Sequence, residues 1–521
     1  MKKLVAPLLI GAIFGSYAFA AQDADLKAEV EALKAQMKEL QNTQKKFNIE
    51  ALKSQLLEVK AHDAHDNIKF SADFRTAYDA ISYGTSDAAG ANSTVKNGIW
   101  TNKLILNMAA QPRDDLVFRG ALGMYKTFGY NNTAALNGFQ NMDWYSSETP
   151  SDTTLRVKEA YFLYLGQAGD MPYTVSFGRR PSVTGFLTNL REDDTHPASP
   201  IGHNINMEFD GASFMVNVEK YTGVSGMYFK LCLGRGNSNV NGKYPAFTGF
   251  NGSNLSYAGA TSLALPYSQG VSQYYAPNMD LAGLLAQLYN DGQYKVMANW
   301  FKGWNMMGAD FTRVGGAGTP LDPTDDTFSM HLKDVGDLTG GALSLQVDGI
   351  GDGISDFLDD TTAFASFAWS TTHPKGVTNT IASEEGMVSA GPGMLGSSKS
   401  ETGTSIYVGV QMPGFFDNDR IGIEYNHGSK YWRSFTYGED TLIGSKLSTR
   451  GNAYEIYYNF PVLDRFLTAQ IRYTYIDYDY TGSDMFFGST GTPLTKSEAA
   501  AQGMGFVDNA QDIRLSLRYR Y

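Results

Sequence analysis

The sequence predicts a transmembrane antiparallel β-barrel of about sixteen strands, preceded by a helical segment. Three observations predict it: an export address at the start, period-two strands punctuated by turn residues from Ile68 onward, and an alternating strand that ends on an aromatic residue.

The first twenty residues read as a signal peptide. Lys2 and Lys3 open it, residues 4–14 are apolar but too few to span a bilayer with margin, and Ala18-Phe19-Ala20 offers small residues for cleavage after Ala20. Residues 22–60 contain Ala, Leu, Glu, Lys and Gln but no Gly or Pro. Leu26, Val30, Leu33, Met37 and Leu40, continued by Gln44 and Phe47, alternate spacings of four and three, which is a heptad seam. Ile49, Leu52, Leu56 and Val59 resume it after a stutter. A lone helix of this kind is marginal in water, so the segment is expected to self-associate as a periplasmic coiled coil, most simply in a homotrimer. The alternatives are a helix lying on the barrel mouth or no stable structure. Residues 61–67 form a linker. Its His62, Asp63, His65 and Asp66 have metal-ligand chemistry, but such clusters in linkers are usually solvated, and no metal is expected.

From Ile68 the chain reads as hairpins to residue 521. Ile68, Phe70, Ala72, Phe74, Thr76 and Tyr78 alternate with Lys69, Ser71, Asp73, Arg75 and Ala77. Leu104, Leu106, Met108 and Ala110 lead into a tight turn at Gln111-Pro112-Arg113-Asp114-Asp115, and Leu116, Phe118, Leu122 and Met124 follow. Short turns recur at 166–172, 290–293, 413–419 and 461–465. Long segments at 129–153, 181–203, 236–278, 304–340, 371–403, 429–449 and 480–508 read as outer loops. Tight turns at one end and long loops at the other are outer-membrane topology. The count is about sixteen strands, with fourteen or eighteen as alternatives because 349–360 is long for a periplasmic turn. At the C-terminus Ile513, Leu515, Leu517, Tyr519 and Tyr521 alternate with Arg514, Ser516, Arg518 and Arg520. One apolar and one polar face suits a strand between lipid and water, and the pattern is read as the signal for the outer-membrane assembly machinery.

Composition narrows the function. No segment after the signal approaches about 18 consecutive apolar residues, so no helical span is expected. Cys232 is the only cysteine, which rules out an internal disulfide, a Cys-based zinc site and c-type haem attachment. The net charge of −12 argues against nucleic-acid binding. No spacing marks a nucleophile or phosphate loop, so neither enzyme activity nor a cofactor is expected.

Three stretches, 176–193 (SFGRRPSVTGFLTNLRED), 353–374 (GISDFLDDTTAFASFAWSTTHP) and 421–440 (IGIEYNHGSKYWRSFTYGED), the last running on to Pro461, resemble a family of outer-membrane porin-like proteins known only as a domain of unknown function. The resemblance extends from about residue 67 to the C-terminus and is most specific at Gly178-Arg179-Arg180-Pro181-Ser182. The family continues that element with Asp-Gly-Pro-Pro, whereas this chain has Val183-Thr184-Gly185-Phe186-Leu187. It implies a barrel and passive transport, with no substrate.

Arg179 and Arg180 run from a strand into an outer loop. If that loop folds inward they would line a constriction, where rings of Arg favour anions; if not, they pair with carboxylates such as Glu192, Asp193 and Asp194. The alternation also turns Arg119, Arg156 and Lys158 inward, with Lys69, Arg75, Lys103, Lys230, Arg472, Arg514 and Arg518, against Asp73, Glu424 and Glu455. Glu159 is the misfit, falling on the face of Val157, Tyr161 and Leu163. The expected function is passive diffusion of small hydrophilic or anionic solutes through an outer-membrane channel. The alternatives are an anchor tethered to the cell wall through the coiled coil, or the sheath of an electron-transfer conduit.

Overall fold

The computed structural model describes residues 68–521 except 88–90, 129–152, 238–246, 252–253, 258–259, 265–270, 273–277, 316–326, 352, 377–380, 383–386, 390–392, 437, 465 and 484–491. The signal segment, the heptad seam from Leu26 to Leu40 and the linker lie outside the described residues.

Sixteen strands form one closed antiparallel sheet. In chain order they are β1 Lys69–Ser86, β2 Asn92–Arg113, β3 Leu116–Thr127, β4 Arg156–Ala168, β5 Met171–Arg180, β6 Phe209–Asn217, β7 Tyr228–Asn237 and β8 Met279–Asn290. They continue as β9 Tyr294–Gly315, β10 Thr327–Asp348, β11 Thr362–Pro374, β12 Thr402–Pro413, β13 Arg420–Gly428, β14 Gly451–Leu463, β15 Leu467–Tyr478 and β16 Phe506–Arg520. Each strand pairs with the next, and β16 closes on β1 in a register running from Asp73–Arg520 to Ser86–Phe506. Closure removes the unpaired edges that a sheet would otherwise expose.

The two faces are inverted relative to a soluble protein. Around the outside stand Phe74, Phe118, Phe162, Phe214, Leu284, Trp300, Phe367, Ile423 and Leu515, all exposed. Inside are Ser176, Ser213, Asn299, Ser344, Ser405, Glu424, Glu455, Arg472 and Arg514, all buried. Apolar side chains outside and buried ionic groups inside fit lipid as the outer solvent, because water would leave that apolar belt without an environment to stabilise it.

Two sequence expectations change. The described parts of the segment 304–340 are strand, not loop: β9 and β10 run 22 residues each, as long as β2, and pair along nearly their whole length. The long turn after β10 costs no strand. A one-turn helix, α1 (Asp356–Asp359), fills it, with Ser355 Oγ accepting from Leu358 N.

Glu159 is explained by a β-bulge. The β3–β4 register steps from Ala121–Glu159 to Leu122–Val157, leaving Lys158 as the extra residue. An extra residue resets the alternation. Val157 therefore faces out, while Lys158, Glu159 and Tyr161 turn to the lumen side.

Candidate functional site: the filled lumen and its polar cavity

Two segments that read as outer loops fold into the barrel. The first, 181–208, follows β5, and the second, 429–450, follows β13. Leu187, Ile201 and His203 of the first, and Trp432, Phe435 and Leu447 of the second, are essentially inaccessible. All but Phe435 pack on inward wall residues such as Leu285, Met297, Phe364 and Tyr407, and Phe435 packs edge-on against Phe301 of β9. The segments also join each other, through Asn206 N to Phe435 O at 2.6 Å, Phe435 N to Asn204 O at 2.9 Å, and Arg191 to Glu439 at 2.6 Å. Gly178 opens the first segment with φ +121°, and a Cβ there would lie 2.2 Å from Ala160 O, so only glycine fits. Thr184, Leu187 and Asp193 also hold positive φ. Such non-glycine positions cost about 1–3 kcal/mol each and persist only where packing over-determines them.

The segments are fastened to the wall by ion pairs. Asp440 is one hub: its carboxylate meets Arg75 at 2.6 Å, Lys103 at 2.9 Å and Arg514 at 3.1 Å. Burial alone would raise the Asp440 carboxyl, but Arg75, Lys103 and Arg514 hold it well below the usual range. Lys446 is a second hub, bridging Glu424 and Glu455. Lys158 reaches Glu208 at 2.6 Å, and Arg518 binds Asp73 while donating to Glu192 O at 2.9 Å. Burial opposes ionisation of Glu192, yet Arg191, with Arg472 and Arg518, carries it down to about 2. His203 sits between Ser366 Oγ (2.8 Å from Nδ1) and Ser405 Oγ (2.9 Å from Nε2), and burial pushes it down to about 3. It is therefore a neutral, locking imidazole.

The polar opening beside these segments is eccentric. A polar cavity of about 210 Å3 lies between the inserted segments and the inner face of β1–β4. Its cations are Arg75, Lys103, Lys158 and Arg518. Its carboxylates are Asp73, Glu159, Glu192, Asp194 and Asp440. Four against five is close to balance, so the basic wall expected from the alternation is neutralised where the lumen is open.

The arginine pair divides. Adjacent strand residues face opposite ways. Arg180 lies beside Phe209, which packs on the lumen core, whereas Arg179 lies beside Asp210, 3.8 Å away, and donates to Lys158 O at 3.1 Å. Neither lines the polar cavity. Arg119 pairs with Tyr161 and Arg156 with Gly123 in register, both on the lumen face of β3–β4, and only Lys158 of the five borders the cavity. Ile513, Leu515, Leu517 and Tyr519 are exposed on the outer face, and Tyr521 exchanges backbone hydrogen bonds with Ala72 at 2.9 and 3.0 Å. Asp440, Glu439, Glu208 and His203 were missed. The available signal was Trp432 and Phe435, large aromatics in a segment assigned to solvent.

A closed, sixteen-stranded antiparallel barrel with an apolar exterior and loops folded into a charged lumen is a barrel of the outer-membrane, porin-like class. Residues 93–521 match the family described as "Protein of unknown function (DUF3373)", and the chain belongs to it. No curated protein matches the chain. Among solved structures it is similar to OprB of Pseudomonas putida, at 13% identity and a TM-score of 0.43, covering 87% of this chain and 94% of that one. It is likewise similar to an anion-selective porin from Comamonas acidovorans, at 9% identity and a TM-score of 0.42, covering 87% and 99%. A third is OmpT, an outer membrane protein of Vibrio cholerae, at 11% identity and 0.41, covering 88% and 99%. Likeness at this level carries no functional information.

Proposed function

We propose that the protein is an outer-membrane channel that passes small hydrophilic solutes along the β1–β4 side of its lumen. The observation that carries the reading is the charged cavity between that wall and the inserted segments. Water and small polar solutes find hydrogen-bond partners there, whereas segments 181–208 and 429–450 fill the lumen beside it with packed side chains. The balance of four cations and five carboxylates favours weak ion selectivity rather than the anion preference expected from the wall alone. The sheath reading is disfavoured, because segments 181–208 and 429–450 already occupy lumen space that a haem protein would need.

Planar-bilayer recording of the purified full chain tests this. Stepwise conductance is expected, with a reversal potential close to zero in a salt gradient. Absence of conductance from correctly folded barrel would overturn the channel reading and leave the cell-wall anchor in its place.

A further inference from the structure

A second cavity lies farther round the barrel, along β5–β9, and its chemistry is different. Gly178, Gly211, Gly234, Leu281 and Gly303 are register neighbours across β5 to β9, so this strip of the inner wall is almost bare of side chains. The segment 181–208 and Phe435 pack over the strip. Between them is a cavity of about 90 Å3 whose lining is overwhelmingly apolar, with Ile205, Phe209, Leu281, Leu285, Phe301 and Phe435 contributing.

One charged group lines it. Arg180 borders the cavity, and its guanidinium makes no hydrogen bond or ion pair with the described residues. The neighbouring polar groups are engaged elsewhere: Ser182 Oγ donates to Met207 O, Asn299 exchanges two bonds with Asn204 at 3.0 Å, and Ser199 Oγ accepts from Lys230 at 2.5 Å. Lys230, behind Ser199, adds a second positive charge that interacts with Arg180. A half-buried guanidinium without a partner beside an apolar cavity calls for an anion joined to an apolar body.

We propose that this cavity binds a small aliphatic carboxylate, its tail against Phe301 and Leu281 and its carboxylate on Arg180. At about 90 Å3, against about 150 Å3 for a cavity that holds benzene, the space seats the first methylenes of a short alkyl chain, and it is only partly enclosed, so the rest of the chain lies along the apolar wall. The site is separate from the polar cavity, and binding is read at equilibrium, so a barrel that carries no current still tests it.

The experiment is calorimetric titration of the full chain with sodium hexanoate, with butanoate, acetate and 1-hexanol as comparison probes. Hexanoate is expected to bind once per chain. Each methylene removed should weaken binding about fourfold, and 1-hexanol should bind at least about tenfold more weakly because Arg180 is left unpaired. Arg180→Gln should cost about tenfold or more, and Arg180→Lys should recover much of it. Gly283 also lines the cavity, and a Cβ there meets only Trp300 O at 3.4 Å and Phe301 Cβ at 3.9 Å. Gly283→Ala should therefore fold normally, and Gly283→Leu should fill the space and abolish binding. No hexanoate binding, equal binding of 1-hexanol, or undiminished binding by folded Arg180→Gln or Gly283→Leu would overturn the proposal. Should Arg180→Gln fail to give heat-modifiable barrel, the chain-length series in the unmodified protein decides alone.

Discussion

Replacing Asp440 by Asn removes the anion shared by Arg75, Lys103 and Arg514, at 2.6, 2.9 and 3.1 Å. The side chain is about 7% exposed, so solvent does little to screen what remains. Three cations are then left facing one neutral amide, with Asp79, 2.5 Å from Arg514, and Asp73, which interacts with Lys103, among the counter-charges that remain. Removing one partner of a buried ion pair costs about 3–5 kcal/mol. That cost falls on the state in which 429–450 is seated in the lumen, and each 1.4 kcal/mol is about tenfold in an equilibrium. Release of the segment should become roughly two to three and a half orders of magnitude more favourable. Two readouts follow. Single-channel conductance should rise as the occluding segment leaves. The reversal potential should shift toward anions, more at about 0.1 M salt, where the Debye length is about 10 Å, than at about 1 M, where it is about 3 Å. Asp170→Asn, on a surface carboxylate that is 65% exposed and paired with Lys220, is the control and should change neither. Unchanged conductance, selectivity and thermal midpoint in folded Asp440→Asn would refute the view that this hub seats the segment.

His203 should make the barrel acid-sensitive. Its folded pKa is depressed to about 3 by burial, so the unfolded chain binds the proton first and stability falls as pH drops below about 6.5, by about 3 kcal/mol at about pH 4.5. Thermal unfolding at neutral and acid pH should show a smaller acid loss in His203→Gln, and an equal loss would exclude the residue as the cause. The bulge at Lys158 predicts that, in a Cys232→Ser background, Glu159→Cys reacts with a water-soluble thiol reagent while Phe162→Cys, facing lipid, does not; the reverse pattern would restore simple alternation. Deleting Tyr521 removes the two closing bonds to Ala72 and should leave the protein unassembled in the periplasm. Full heat-modifiable barrel from that variant would refute the assembly-signal reading.

Strand number and facing were largely legible because lipid and lumen impose opposite polarity on successive residues, and a period of two is written directly into the chain. Phe74 outside and Arg75 inside, or Leu515 outside and Arg514 inside, follow from that rule. The rule fails where a residue is added without changing composition. At Lys158 only the backbone pairing reveals the bulge, whereas the arginines after Gly178 divide just as alternation requires. Loop direction was not legible either. Glycine, serine and asparagine suit a solvated loop and a segment buried against polar wall residues equally well. Whether 181–208 and 429–450 enter the lumen depends on partners far away in sequence: Asp440 with Arg75, Glu208 with Lys158, His203 with Ser366 and Ser405. Inward charge could be counted from the alternation, but net charge at the opening could not, because it is set by which carboxylates the inserted segments bring back to the wall. By itself the sequence determined an alternating antiparallel sheet of about sixteen strands, since those features are local and periodic. The tertiary structure decided where the lumen is open, since that is a sum over contacts between distant parts of the chain.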